Sequence, residues 1–271
     1  VEIIRGKKAL VTGAASGIGR AIALALAREG ADLFLVDIDE PHLRISARDA
    51  EALGSKVLTE VCDLSKPAQI SACVVACLRS FSTLDILVNG AGVIFYGHAD
   101  EMTAAKWNAI MSVNFFAPIQ LVRELLPTLT AQKESHVLNV CSVLGLVPVR
   151  KLMGYQTSKF ALVGFSLALR TEYFAQNVGV TALCPGLVDT PMFERFGPAW
   201  FKRLLSFGPF SLVVSPDFVA RQAVTSIRRN RAIVVVSLGG KIIWLIFRLC
   251  PTLVLWLFRR KPRTKCVDKE S

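Results

Sequence analysis

Short apolar, β-branched runs alternate along this chain with longer segments in which apolar residues recur every three to four positions. The short runs predict strands at roughly 8–12, 32–36, 57–61, 84–88, 136–141, 178–183 and 232–236. Between them, 18–28 and 67–79 have the spacing of helices that bury one face. Such alternation builds parallel sheets, and right-handed crossovers put helices on both faces. The expected fold class is therefore α/β, a doubly wound parallel sheet of about seven strands with helices on both faces. No internal repeat, low-complexity stretch or Pro/Gly/Ser-rich linker divides residues 1–240, which are expected to form one domain. The composition shifts near Gly239 and Gly240, beyond which lie an apolar and basic stretch, 241–260, and a polar end, 261–271.

A length of 271 residues, 52% of them hydrophobic, is enough for a large core and fits one α/β domain. The sequence opens as a strand entering a glycine-rich turn and shows no signal-peptide pattern, so any targeting segment would precede Val1. Seven scattered cysteines lack the paired spacing of a zinc site and are read as reduced thiols in a cytosol-facing protein, with no metal expected. Cys73 and Cys77, at i and i+4, read as small buried side chains on a helix. The net charge of +11 is uneven: residues 221–271 hold 12 Lys and Arg against Asp268 and Glu270, which leaves +10 there and +1 in 1–220. Charge confined to an apolar tail argues against nucleic acid and toward anionic lipid headgroups.

Candidate chemistry begins where the first strand runs into Thr12-Gly13-Ala14-Ala15-Ser16-Gly17-Ile18-Gly19 and a helix follows. Free N–H groups at such a helix start hold a pyrophosphate, although a glycine run by itself also serves as a plain tight turn. Asp37 stands 18 residues past Gly19, where a carboxylate accepts hydrogen bonds from the adenosine ribose and repels a 2′-phosphate. The residues at 16 and 38 are Ser16 and Ile38, neither basic, so NAD(H) is favoured over NADP(H) as cofactor. The alternative reading makes Asp37 a turn residue beside Asp39 and Glu40.

Further along stand Asp63 after the third strand, Asn89-Gly90-Ala91-Gly92 after the fourth, Asn114, Ser142, Tyr155-Gln156-Thr157-Ser158-Lys159, and Pro185-Gly186 with Thr190. Over residues 6–240 the chain resembles the short-chain dehydrogenase/reductase family. The resemblance rests on the joint occurrence of the glycine loop, the YxxxK motif and Ser142 thirteen residues before Tyr155. It implies a Rossmann-type fold and hydride transfer between nicotinamide and an alcohol or carbonyl carbon. Gly90 is a small departure, since the family more often has Asn or Ala there.

The resemblance implies Tyr155 as general acid/base and Lys159 as its partner, also bonded to the nicotinamide ribose. Ser142 would orient the substrate oxygen, and Asn114 would hold a water that relays protons to Lys159. Gly13, Ser16, Gly17, Ile18 and Gly19 would cradle the pyrophosphate. Asp63 would contact adenine, Asn89 would line the cofactor, and Thr190, near the backbone of Val188, would bind the carboxamide. The alternatives are that Asn89 ties strands together and that Asp63 and Thr190 cap helices. A free tyrosine, with a pKa near ~10, is a poor base at neutral pH. Lys159, one helical turn further on, is expected to favour the tyrosinate.

The segments flanking the reacting centre are oily: Leu144, Leu146, Val147 and Val149 on one side, Met192, Phe193, Phe196, Trp200, Phe201, Leu204 and Leu205 on the other. Positions 193, 196, 200 and 204 have helical spacing, which suits a lid with an apolar inner face, a core helix or a membrane-contacting one. Residues 242–258 carry one charge in 17 and are interrupted by Pro251, short of the ~20 apolar residues that cross a bilayer. On one continuous helix Lys241, Arg248, Thr252 and Arg259 would share a polar stripe. With Trp244, Trp256 and the Arg259-Arg260-Lys261 cluster, the tail reads as two short helices in a membrane interface on the cytoplasmic side, or else as an oligomer contact or lid.

A membrane-associated enzyme with a greasy pocket points to a lipophilic alcohol or ketone: a sterol, a retinoid, or a long-chain acyl derivative. The competing readings are a 3-oxoacyl or other small-carbonyl reductase and a non-catalytic scaffold. The second is disfavoured because Tyr155, Lys159 and Ser142 are all present. The resemblance also suggests a homodimer or homotetramer.

Overall fold

In the computed structural model, which describes residues 1–194 and 213–258, seven parallel strands form one sheet. The strands are β1 (Lys8–Thr12), β2 (Asp32–Asp37), β3 (Val57–Val61), β4 (Ile86–Asn89), β5 (Ser135–Val140), β6 (Val178–Cys184) and β9 (Ile233–Val235), in the order β3-β2-β1-β4-β5-β6-β9. A separate two-stranded parallel ribbon, β7 (Leu187–Val188) with β8 (Val213–Val214), has no counterpart in the sequence reading, because two residues carry no periodicity. The fourth strand starts at Ile86 rather than at 84. Asp85 just before it is taken up by the edge of β1, its carboxylate accepting from the Lys8 backbone N–H at 2.9 Å and from Lys7 Nζ at 3.0 Å.

Central strands covered on both faces are apolar throughout rather than alternating. All residues of β4, β5 and β6 are buried, and they are apolar apart from Asn89, Ser135, His136, Asn139 and Thr181. One face of the sheet packs against α1 (Gly17–Arg28), α2 (Glu40–Glu51) and α8 (Pro216–Arg228), through side chains such as Ile22, Leu26, Leu43, Val219 and Ile227. The other packs against α3 (Pro67–Phe81), α5 (Ala117–Thr130) and α6 (Met153–Glu172), through Ile70, Cys77, Leu121, Leu125 and Leu169. α5 continues α4 (Ala104–Met111) through a π-helical turn, Ser112–Phe116, in the middle of which Asn114 is fully buried.

The order reverses at β1, since the chain runs outward through β2 and β3 and then returns to pair β4 with β1. At such a switch point the loops leaving the carboxyl ends of neighbouring strands diverge and leave a crevice.

Beyond β9 the chain forms α9 (Leu238–Leu249) and α10 (Pro251–Leu257), bent by 119° at Cys250. The helix thus begins before Gly240, where the composition had suggested a boundary. α9 and α10 are two short helices, as the tail was read, so the stripe of one continuous helix is divided: Lys241 and Arg248 share a face of α9, Thr252 lies past the break, and Arg259 is outside the described residues. Pro251 opens α10, where it has no intrahelical N–H to lose.

Candidate active site

The turn from β1 into α1 is built for close approach. Gly13 has φ +69°, and a Cβ there would lie 2.7 Å from the Ala91 backbone nitrogen; a Cβ at Gly19 would overlap the Gly13 carbonyl. Gly90 sits against the same turn, with room for no side chain beside the Thr12 carbonyl, 2.6 Å from where its Cβ would be. The departure at 90 therefore belongs to the packing of this turn. α1 starts at Gly17 with no side-chain cap from Ser16 and no acidic residue in its first turn, so its free N–H groups and the positive end of its dipole are available to an anion.

A cleft of about 1110 Å³ runs from this turn across the carboxyl ends of the strands. Gly13, Ser16, Gly17, Ile18, Gly19, Asp37 and Asp63 line it together with Ser142, Tyr155, Lys159, Val188 and Thr190. The Asp37 carboxylate is held at the end of β2 by the backbone N–H groups of Ala15, at 2.9 Å, and Asp39, at 3.1 Å. Asp63 accepts from Ser65 N at 2.9 Å and Ser65 Oγ at 2.7 Å, and these bonds hold its carboxyl below the usual aspartate value. Asp63 thus fixes the turn ahead of α3 while also reaching the cleft. Thr190 meets the glycine turn, since a Cβ on Gly17 would lie 3.3 Å from its methyl, and its hydroxyl donates to the Val188 carbonyl at 3.4 Å.

Tyr155 and Lys159 project from one face of α6, and Ser142 follows the loop out of β5. Ser142 Oγ accepts from Leu144 N at 3.1 Å, and its hydroxyl acts on the Tyr155 phenol to draw it down. Lys159 Nζ lies 5.7 Å from the centre of the Tyr155 ring and donates to the Val140 carbonyl at 2.8 Å. Burial pushes the Tyr155 phenol up to about 12, opposed by the Ser142 hydrogen bond, and burial draws the Lys159 ammonium below its usual value. Lys159 was expected to favour the tyrosinate, but burial is the dominant influence here. In the protein by itself desolvation outweighs the favourable contacts, and the phenol is a proton donor rather than a base.

Two expected site residues stand behind the cleft rather than on its wall. Asn114 gives its side chain to the loop after β4, accepting from Val93 N at 2.8 Å and donating to the Val93 carbonyl at 2.9 Å and Ser158 Oγ at 3.0 Å. Its carbonyl oxygen and Lys159 Nζ both border the open side of Gly92, at 3.5 and 3.7 Å from where a Cβ would sit. Asn89 donates to Asn139 Oδ1 at 2.8 Å, and Asn139 passes the chain on to Ser166 Oγ at 2.8 Å. Asn89 is thus a buried tie between β4, β5 and α6, and the neighbouring glycines Gly90 and Gly92 are what line the cleft.

The apolar wall contains residues that the sequence did not single out for this site. Ile94, Phe95, Ile110 and Val113 join Leu144, Val147 and Val149, and Gly239, Gly240, Ile243 and Phe258 reach it from the tail. The sole advance signal was their apolar character. Of the expected lid positions, Met192 lines the cleft and Phe193 lies in a short helix, α7 (Pro191–Glu194); Phe196, Trp200, Phe201, Leu204 and Leu205 fall outside the described residues.

A doubly wound sheet with a glycine turn at its switch point, and a Tyr/Lys/Ser cluster across the same cleft, defines an oxidoreductase of the nicotinamide-dependent class. The sequence model for short chain dehydrogenase matches residues 7–199, and the chain belongs to the short-chain dehydrogenase/reductase family. It is 31% identical over 218 residues to the 3-oxoacyl-acyl-carrier-protein reductase FabG of Thermotoga maritima, covering 80% of this chain and 89% of that one. A short-chain dehydrogenase/reductase of Burkholderia phymatum in complex with NAD superposes with a TM-score of 0.83 at 27% identity, covering 97% of this chain and 99% of that one. A short-chain dehydrogenase of Burkholderia cenocepacia J2315 in complex with NADP gives 0.81 at 27% identity, over 88% and 99%.

Proposed function

We propose that this oxidoreductase uses NAD(H) to interconvert a secondary or primary alcohol and its carbonyl on a lipophilic substrate. The cofactor supplies the hydride when bound. Tyr155 holds the proton that the reduced oxygen requires, Ser142 orients that oxygen, and Lys159 borders the same space beside Gly92 and Asn114. Protonated Tyr155 suits carbonyl reduction directly; alcohol oxidation needs the cationic nicotinamide and Lys159 to draw the phenol down. The preference for NAD(H) rests on Asp37, whose carboxylate would repel a 2′-phosphate. Lys106 and Lys159 are the cations among the described lining residues, and neither belongs to the adenosine end.

The observation that carries the lipophilic reading is the tail. Ile243 and Phe258 line the same cleft as Tyr155 and Ser142, while Leu238, Leu249 and Trp256 of the same two helices are 71%, 78% and 64% exposed. One side of the bent pair thus faces the substrate space, and the other is an uncovered apolar surface suited to a bilayer interface. In this reading 1–240 is the catalytic unit, 241–271 is an appended peripheral membrane segment on the cytoplasmic side, and the exposed Phe116, Met153 and Phe160 favour a homodimer or homotetramer.

The test is NADH-dependent reduction of a series of methyl ketones of increasing chain length. Each buried methylene is worth ~0.8 kcal/mol, so kcat/KM should rise about fourfold per carbon until the cleft is filled. A flat or falling series would overturn the lipophilic reading. Activity confined to 3-oxoacyl thioesters would favour the chemistry in the name of the Thermotoga relative.

A further inference from the structure

A second cavity, of about 330 Å³, opens where α8 and α9 flank β9, the last strand of the sheet. Gln222 of α8, Arg231 from the turn before β9, and Lys241, Trp244, Leu245 and Arg248 of α9 line it. Three cations, two from α9 and one from the turn before β9, thus converge on one concavity, and among the described residues none of the three is ion-paired to a carboxylate. The Arg248 guanidinium lies 5.3 Å from the Trp244 ring, which fixes it over an apolar floor completed by Ile233 and Val235. Like charges gathered without a counter-charge repel one another, and an anion bound among them would remove that cost.

Beside this basic hollow runs the most exposed apolar row of α9. Leu238, Ile242, Leu245 and Leu249 recur at helical spacing, and Leu245 belongs to both the row and the cavity. Cations set against an adjoining apolar stripe match an amphiphile with an anionic head.

We propose that this cavity is a binding site for the phosphodiester headgroup of an anionic glycerophospholipid, with the acyl chains laid along the exposed row of α9. The inference rests on the membrane-facing reading of the tail. It adds a defined headgroup site to what would otherwise be diffuse attraction. Bound there, the lipid anchors α9 at Lys241 and Arg248, and the same helix presents Ile243 to the substrate cleft.

The test compares the full chain with R231Q/R248Q and with R259Q/R260Q, which removes the same charge from the basic cluster beyond α10. Partition is measured on vesicles of phosphatidylcholine alone and of phosphatidylcholine with phosphatidylglycerol. Saturable binding is measured with monomeric dihexanoyl phosphatidylglycerol and with inorganic phosphate.

A cation near an anionic surface contributes about a fivefold gain, so R231Q/R248Q should lose about 25-fold on anionic vesicles. It should also lose the saturable binding, with partition onto phosphatidylcholine unchanged. Saturable binding of the short lipid lost equally in the two variants, or retained by R231Q/R248Q, would overturn the headgroup site while leaving the membrane reading standing. Inorganic phosphate binding as tightly as the short lipid would make the site one for a free anion and overturn the lipid assignment. Wild-type protein that binds neither vesicle would overturn both readings.

Discussion

β5, which leads into Ser142 and supplies the carbonyl that holds Lys159, carries a fully buried histidine. The Thr181 hydroxyl donates to the Arg231 carbonyl, so it accepts from His136 Nε2 at 2.9 Å, and His136 Nδ1 has no partner among the described residues. Burial, with Arg170 acting in the same direction, lowers this imidazole from 6.5 to about 3. The unfolded chain takes up a proton near pH 6.5 and the folded protein only near 3, so the stability this site contributes is full above 6.5 and is lost as the pH falls. Between pH 7.5 and 5.0 the unfolded state gains about 1.5 pH units of protonation at 1.36 kcal/mol each, a loss of about 2 kcal/mol. Asp63, held below the usual aspartate value, titrates below that window.

Urea unfolding at the two pH values, on the wild type and on His136→Gln, measures the effect directly. The wild type should lose about 2 kcal/mol between them, and the variant less than about 0.5, whatever its absolute stability. A pH-independent wild type, or a variant with the full slope, would refute the reasoning.

Replacing Gly19 with Ala should abolish NADH binding with the circular dichroism spectrum unchanged, because the new Cβ meets the Gly13 and Thr12 carbonyls where β1 turns into α1. Asn139→Ala leaves Asn89 and Ser166 without their shared partner and should cost ~1–3 kcal/mol in urea unfolding, with little change in NADH affinity. Tyr155→Phe keeps the ring and removes the proton donor, so kcat for ketone reduction should fall ~10²–10⁴-fold while NADH still binds; a smaller loss would move the acid elsewhere.

Strands buried on both faces announce themselves as largely apolar runs, so the main sheet and the two helices placed by periodicity, 18–28 and 67–79, were legible to within a few residues. Glycines 13, 17 and 19 were legible because their spacing next to a strand and a helix has one mechanical use. What stayed hidden depends on contacts distant in sequence. Asn89 turns to Asn139 rather than to the cleft, a choice made by the pairing of β4 with β5. The tyrosine's raised pKa follows from burial by many residues at once, which no local motif encodes. The tail's apolar character was plain, yet that Ile243 lines the cleft ahead of the 119° bend at Cys250 and Phe258 lines it again beyond the bend was not, and Pro251 marked only where the helix would break.

The proposed hold of the glycine turn and Asp37 on NAD(H), across from Tyr155, is tested by titrating the protein with NADH and with NADPH, following nicotinamide fluorescence, in the wild type and in Asp37→Ala. Hydrogen bonds to a charged carboxylate are worth ~1.5–3 kcal/mol, so the wild type should bind NADH more tightly than NADPH, and the variant should lose about 10- to 100-fold for NADH. Tighter binding of NADPH by the wild type, or NADH affinity unmoved by the substitution, would contradict it.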